Sequence, residues 1–236
     1  LTKGREDMEK DKILENLDHA KEQLSEYSST VSKVIHKIFS KVTKSPITKD
    51  LEKRIISAAI LLPIAIYAIA FSESLFFFIA IILTILMTAE WLSITKTAEN
   101  QQKWQLIGLF YIALPMFCVI QIRVIDPNIL LWMFAVIWAT DIFAFFSGKA
   151  FGGPKMSPTI SPNKTWTGLA GGVIASMFIG LLSSVMFQGG ILFFVIVSAI
   201  LAVIEQAGDL FESKVKRIFK IKDSGSIIPG HGGILD

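Results

Sequence analysis

The sequence predicts an all-α protein: a polytopic helical bundle integral to a membrane, with a polar, helical N-terminal tail on the cytoplasmic side. Three observations carry that prediction. Beyond Lys53 and Arg54 the chain runs through long stretches almost free of charge, and about 18 or more such residues in a row read as a spanning helix. Charged residues gather instead before these two, in short connections, and from Asp209 onward. The basic residues of the connections fall on alternate sides of the bundle, as the positive-inside rule expects of a multi-pass protein. Total composition is less telling, since 52% hydrophobic residues is close to a soluble domain's share. The 18 Phe against 3 Tyr suit a lipid-facing surface.

Two parts are expected, a polar tail over 1–50 and a membrane domain over 51–236. In the tail Leu14, Leu17, Leu24, Val31, Ile35 and Ile38 recur at helical spacing. Lys21 and Ser28 interrupt the seam, so a surface helix or partly disordered tail is preferred to a coiled coil, and a homodimer through the tail stays open. Ser45-Pro46 is expected to end this helix. No cleavable signal peptide is expected, because the tail has no short apolar core. The single cysteine, Cys118, lies in an apolar stretch and leaves no intramolecular disulfide to form.

Six spans follow, over 55–71, 75–92, 106–122, 129–146, 169–187 and 191–206. The connections at 72–74 and 188–190 are so short that their flanking spans must be antiparallel neighbours. With the tail inside, the inner segments carry Lys53 and Arg54, Lys96 and Lys103, Lys149, Lys155 and Lys164, and the cluster from Lys214 to Lys222, while the outer ones carry Arg123. Glu90, Asp141 and Glu205 then sit near the cytoplasmic ends of their spans. An acid at that depth is costly and is usually functional or paired. Glu90, beside Trp91, is expected to rest in headgroup water, whereas Asp141 is followed by largely apolar residues and is a site candidate.

Two segments carry chemistry. The loop 147–168 is rich in Gly, Pro, Ser and Thr and contains Lys149, Lys155 and Lys164. Glycines allow close backbone approach, and lysines neutralise phosphate. Ser161 and Thr165 stand where a helix N-terminus would favour an anion. On composition an ordinary basic loop against anionic lipid is equally well supported. After the sixth span Asp209, Glu212, Ser213, Lys216 and Lys220 share one helical face. Acid near the membrane and base beyond it suit a metal beside a phosphate; the plainer reading is a helix held by its own i, i+4 pairs. Lys222-Asp223-Ser-Gly225 and Pro229-Gly-His231-Gly-Gly233 follow, setting a histidine in a Gly-rich turn between Asp223 and Asp236.

Ser213-x-Val-Lys-Arg217, Lys222-Asp223-x-Gly225 and Ile228-Pro229-x-His231-Gly-Gly-Ile-x-Asp236 together resemble the signature of the phosphatidate cytidylyltransferases, the CDP-diacylglycerol synthases. Ser161-Pro-x-Lys-Thr-Trp-x-Gly168, and Asp141 before Phe145, are similar to further parts of that pattern, so the resemblance covers about 55–236. It implies an enzyme of phospholipid biosynthesis in the cell (inner) membrane, with N-terminus and active site cytoplasmic. CTP and phosphatidic acid would be its substrates, CDP-diacylglycerol and pyrophosphate its products, and no nucleic acid its partner. It implies Mg²⁺, with room for a second cation, on Asp209 and Asp236. Asp209, Asp223 and His231 are the catalytic candidates; Ser161, Lys164, Thr165, Lys216, Arg217 and Lys222 are the substrate-binding ones. The family motif continues past the acid matching Asp236 with an Arg, an Asp and a membrane helix. The expectation is therefore that Asp236 is loosely held and that the sequence as given is impaired. A small anion transporter or channel, or another CTP or lipid phosphotransferase, is the alternative. A transporter would place polar groups near the bilayer midplane, and here they gather at the cytoplasmic side.

Overall fold

The computed structural model describes residues 49–236 and, before them, residues 19, 21–23, 25, 26, 29, 32 and 33. The chain divides into two units, Leu1–Pro46 and Ile47–Asp236. The described residues of the first are helical and exposed. Its proposed seam of Leu14, Leu17, Leu24, Val31, Ile35 and Ile38, and the break at Ser45-Pro46, lie outside the described residues.

The second unit contains α1 (Lys49–Phe71), α2 (Glu73–Thr95), α3 (Gln101–Ile125), α4 (Pro127–Phe151), β1 (Lys155–Ser157), β2 (Ser161–Thr165), α5 (Trp166–Met186) and α6 (Ile191–Ile218). The starts of α2, α3 and α4 are capped by side chains from the connections before them. Ser72 Oγ accepts from Leu75 N, Asn100 Oδ1 from Lys103 N, and Asp126 Oδ1 from Asn128 N with Pro127 at the first helical position. Five of the helices, α2 to α6, are long and apolar enough to cross a bilayer. The expected first span lies within α1, a 23-residue helix whose described apolar part is Ile56–Phe71.

Small residues set the closest packing. Gly168, Gly172, Ser176, Gly180 and Ser184 are buried at a spacing of four along α5. A Cβ on Gly168 would stand 2.8 Å from Ala144 O, and one on Gly172 2.9 Å from Thr140 O, so α4 and α5 touch backbone to backbone. Farther along, Gly180 meets Phe194 and Ser198 of α6. Phe194, Ser198, Ala202 and Gln206 form the buried stripe of α6, again at a spacing of four. The outward faces of the helices carry exposed Phe, Ile, Leu and Val, including Phe110, Phe117, Phe178 and Leu192, the surface a bilayer would solvate.

The segment expected to be a loop is partly regular. α4 runs on to Phe151, and β1 and β2 then pair antiparallel, with Lys155 opposite Thr165 and Ser157 opposite Ser161. This hairpin delivers the chain directly into α5.

Candidate active site at the polar end of the sixth helix

The stripe that packs α6 changes character at Gln206. Up to Ala202 it holds apolar and small groups; beyond it come Gln206, Asp209, Glu212, Ser213 and Lys216, three or four residues apart and hence on one side of the helix. Gln206 is 4% exposed, and a buried amide must be satisfied by partners. Its Nε2 donates to Glu205 Oε2 at 2.9 Å and to Asp141 Oδ1 at 3.4 Å, while its Oε1 accepts from Lys164 Nζ at 2.9 Å. Lys164 also forms an ion pair with Asp209, and Asp209 Oδ1 accepts from Ser213 Oγ at 3.4 Å. One connected set thus joins α4, β2 and α6.

The hairpin is what brings Lys164 there. Lys164 and Thr165 end β2, and Thr165 caps α5 by accepting from Gly168 N at 3.1 Å. Thr167 donates to Gly152 O, and Trp166 N to Pro154 O at 3.1 Å, so the two ends of the hairpin are tied together. Arg217 reaches it from α6, its Nε donating to Ile160 O at 3.3 Å and its Nη1 to Ile221 O at 3.2 Å. Ser161 opens β2 opposite Ser157. Gly168, grouped at first with the phosphate-approach glycines, instead lets α5 approach Ala144.

A second set lies further along α6. Lys216 Nζ is 2.9 Å from Glu212 Oε1 and 2.6 Å from Asp236 Oδ1. Asp236 Oδ2 accepts from Ser224 N at 2.8 Å, Ser224 Oγ at 2.9 Å and Gly233 N at 2.7 Å. The expectation of a loosely held Asp236 is therefore corrected: the turn of Gly230 and Gly232, both at positive φ, folds back through the Ile228–Gly232 bridge and seats the carboxylate among these donors. Burial pushes the Asp236 carboxyl up, but the Lys216 hydrogen bond, followed by those of Gly233 and Ser224, outweighs it and holds the group below its ordinary 3.8.

Glu90 corrects a second expectation. It is 6% exposed and is not in headgroup water. Its Oε1 accepts from Ile234 N and its Oε2 from Leu235 N, each at 2.9 Å, and Ser224 Oγ lies 3.0 Å from Oε2. Glu90 and Gln206 are the residues that sequence reasoning missed. Their signal was an acid and an amide inside apolar runs.

The other candidates stand apart from these sets. Lys222 and Asp223 are exposed on the loop after α6. His231 Nδ1 is 3.0 Å from Ser57 Oγ on α1. Among the described residues no three His, Cys, Asp or Glu side chains converge as a metal cage. A Mg²⁺ shared with phosphate oxygens needs only one or two carboxylates. Asp209, with a side chain 39% exposed, has the hard oxygens and the access for that role. Asp236 has both oxygens engaged by donors.

Comparison with known proteins gives the family. Residues 106–236, which hold both polar sets except Glu90, match the model of the Cytidylyltransferase family. The chain is similar to a protein named phosphatidate cytidylyltransferase from Rickettsia felis, 39% identical over 207 residues covering 82% of this chain and 89% of the relative. A Rickettsia typhi protein of the same name is 40% identical with the same coverage. One from Brucella abortus is 40% identical over 156 residues, 64% of this chain and 55% of the relative.

Proposed function

The chain belongs to the Cytidylyltransferase family, and on that premise we propose that the polar end of α6 is where it transfers the cytidylyl group of CTP to phosphatidate. The products are CDP-diacylglycerol and pyrophosphate. A phosphate oxygen of the lipid attacks the α-phosphorus of CTP, the bond from that phosphorus to the bridging oxygen breaks, and the electron pair leaves with pyrophosphate. Such a displacement needs alignment and charge neutralisation more than covalent help.

The observation that carries this reading is the convergence of Lys164, Asp209 and Gln206 from two distant parts of the chain onto one polar edge of a membrane helix, where Asp209 is the most exposed of the three. Lys164 and Lys216 supply positive charge for phosphates, each now held by a carboxylate that an arriving triphosphate would relieve. Arg217 fixes the hairpin turn, and Thr165 fixes the start of α5. Asp209 is the residue suited to hold Mg²⁺ together with phosphate oxygens, and the ion would supply neutralisation of the triphosphate charge. Asp236 is suited to a second cation only when Lys216 turns away from it. Lys222, Asp223 and His231 stand outside the two polar sets and would meet the headgroup or nucleotide only if it approached from the loop side.

The basic residues of the connections support a cytoplasmic placement of this end, in the cell (inner) membrane, with lipid substrate arriving laterally from the bilayer. The test is a transfer assay with the full-length protein in liposomes containing phosphatidate. CDP-diacylglycerol formation with CTP and Mg²⁺, and its loss with ATP or with chelator, is the expected result. Equal turnover with ATP would favour another lipid phosphotransferase.

A further inference from the structure

The sequence places Glu90 in a membrane helix more than a hundred residues from the signature-bearing turn, yet the fold joins them. A buried carboxylate is costly unless its oxygens are satisfied. Those of Glu90 are satisfied by two consecutive backbone N–H groups, Ile234 and Leu235, with the Ser224 hydroxyl beside them. Successive N–H groups pointing one way form an anion-holding concavity. The glycines of the turn make the approach possible: a Cβ on Gly225 would stand 2.6 Å from Glu90 Oε1, and one on Gly233 2.6 Å from both oxygens.

The anchor itself is rigid. Trp91, next to Glu90, is 3% exposed, and its Nε1 donates to Trp104 O at 2.8 Å. Leu235 packs against the buried cluster of Trp91, Ile112 and Val215, so the turn and α6 rest on one apolar surface. Ser224 links the anchor to the site. Its hydroxyl lies 3.0 Å from Glu90 and 2.9 Å from Asp236, and its single proton can serve only one of them at a time. Asp236 in turn fixes Lys216.

We propose that Glu90 is a positioning residue for cytidylyl transfer: it holds the Gly-rich turn of residues 224–236 so that Asp236 and Lys216 stand against the polar face of α6. This rests on the reaction assigned above. It touches no substrate and acts through the turn.

The experiment compares wild type, Glu90→Gln and Gly233→Ala in liposomes, matched for folded, inserted protein. The amide keeps the size of Glu90 but replaces one acceptor oxygen with a donor that faces an N–H. Gly233→Ala leaves Glu90 intact and crowds both its carboxylate and the Ser224 hydroxyl, so the turn must move off them. Both variants are expected to lower kcat about 10–100-fold, the range for residues that orient a site from behind it. In both, amide hydrogen exchange should rise in 222–236 and stay unchanged in α4 and α5. Wild-type kcat with faster local exchange would overturn the proposal, because the held turn would then be irrelevant to rate. A kcat loss without faster exchange would overturn it too, since Glu90 would be acting otherwise than through the turn. Exchange rising throughout, or loss of folded protein in both variants, would reduce the contact to general stability and equally defeat it. If wild type makes no product from CTP and phosphatidate, the reaction assignment fails, and the exchange comparison still decides whether Glu90 holds the turn.

Discussion

The two halves of α6 share a helix, a period and a buried stripe, but they are held by different forces. From Ile191 to about Ala202 the stripe is Phe194, Ser198 and Ala202, pressed against Gly180 and ringed by Trp132 and Phe187. Trp132 Nε1 donates to Ser198 Oγ at 3.2 Å. From Gln206 to Lys216 the same side is a ladder of amide, acid, hydroxyl and base. Shape holds the first half and charge holds the second. In a bilayer, close packing of small residues needs no solvent, whereas an ion-pair ladder that admits CTP, as proposed above, needs access to water. The lesson is that substitutions in the first half should act on stability and those in the second on rate.

The largest expected effect lies in the second half. Asp209→Asn should lower turnover roughly 10²–10³-fold, the usual loss when a charged group serving the transition state is removed. The same variant should melt in detergent within a few degrees of wild type, because Asp209 is partly exposed and its partner Lys164 keeps Gln206. Near-normal turnover would take Asp209 out of the site and break the comparison.

Gly180→Val tests the first half. Its Cβ would press on the Phe194 carbonyl and stand 2.6 Å from Ser198 Oγ, so α5 and α6 must part. Overpacking of this kind costs about 1–3 kcal/mol, measured as a fall in the melting temperature. Turnover per folded molecule should stay near wild type; a specific loss of turnover would show that the packed half tunes the site.

This division was only partly legible in the sequence. The apolar runs, the alternation of Lys and Arg and the terminal signature all lie in continuous segments, so periodicity and motif expose them. The stripe of Gly168, Gly172, Ser176, Gly180 and Ser184 was equally open to spacing, but its first member also closes a Gly-rich loop, which drew attention to the loop. Lys164 meeting Asp209 depends on a β-hairpin, whose Ser-Pro-x-Lys-Thr strand lacks the β-branched alternation that marks strands. Glu90 was misjudged because an acid beside an interfacial Trp looks solvated. What buries it is a turn 134–145 residues away in sequence. The seat of Asp236 was hidden for a similar reason: three of its contacts come from Lys216 and Ser224, 20 and 12 residues away.

The charge-held end should also respond to pH, unlike the packed half. Asp236 is depressed in the fold, so its contribution is complete above the ordinary 3.8 and is lost as pH falls through the lower folded value. Amide protection in 222–236, taken relative to the intrinsic exchange rate at each pH, should therefore fall below about pH 4, and Asp236→Asn should remove that dependence. Exchange that changes equally in α5 would mean that acid loosens the whole bundle.

The smallest effect sharpens the boundary between hairpin and helix. Thr165→Ala removes the cap of α5 and should cost about 1 kcal/mol of stability, read by thermal melting. A much larger loss of turnover than of stability would move Thr165 from helix capping to substrate binding.

The central claim is that chemistry occurs at the charged end of α6, on the side of the membrane that carries Lys103, Lys155 and Lys164, and not at the end bearing Arg123. Sealed vesicles of known orientation, supplied with CTP on one face only, test it most directly. The account predicts CDP-diacylglycerol when CTP reaches the cytoplasmic face, and none from Asp209→Asn vesicles of the same orientation. Product formed only when CTP is supplied to the Arg123 face would contradict it.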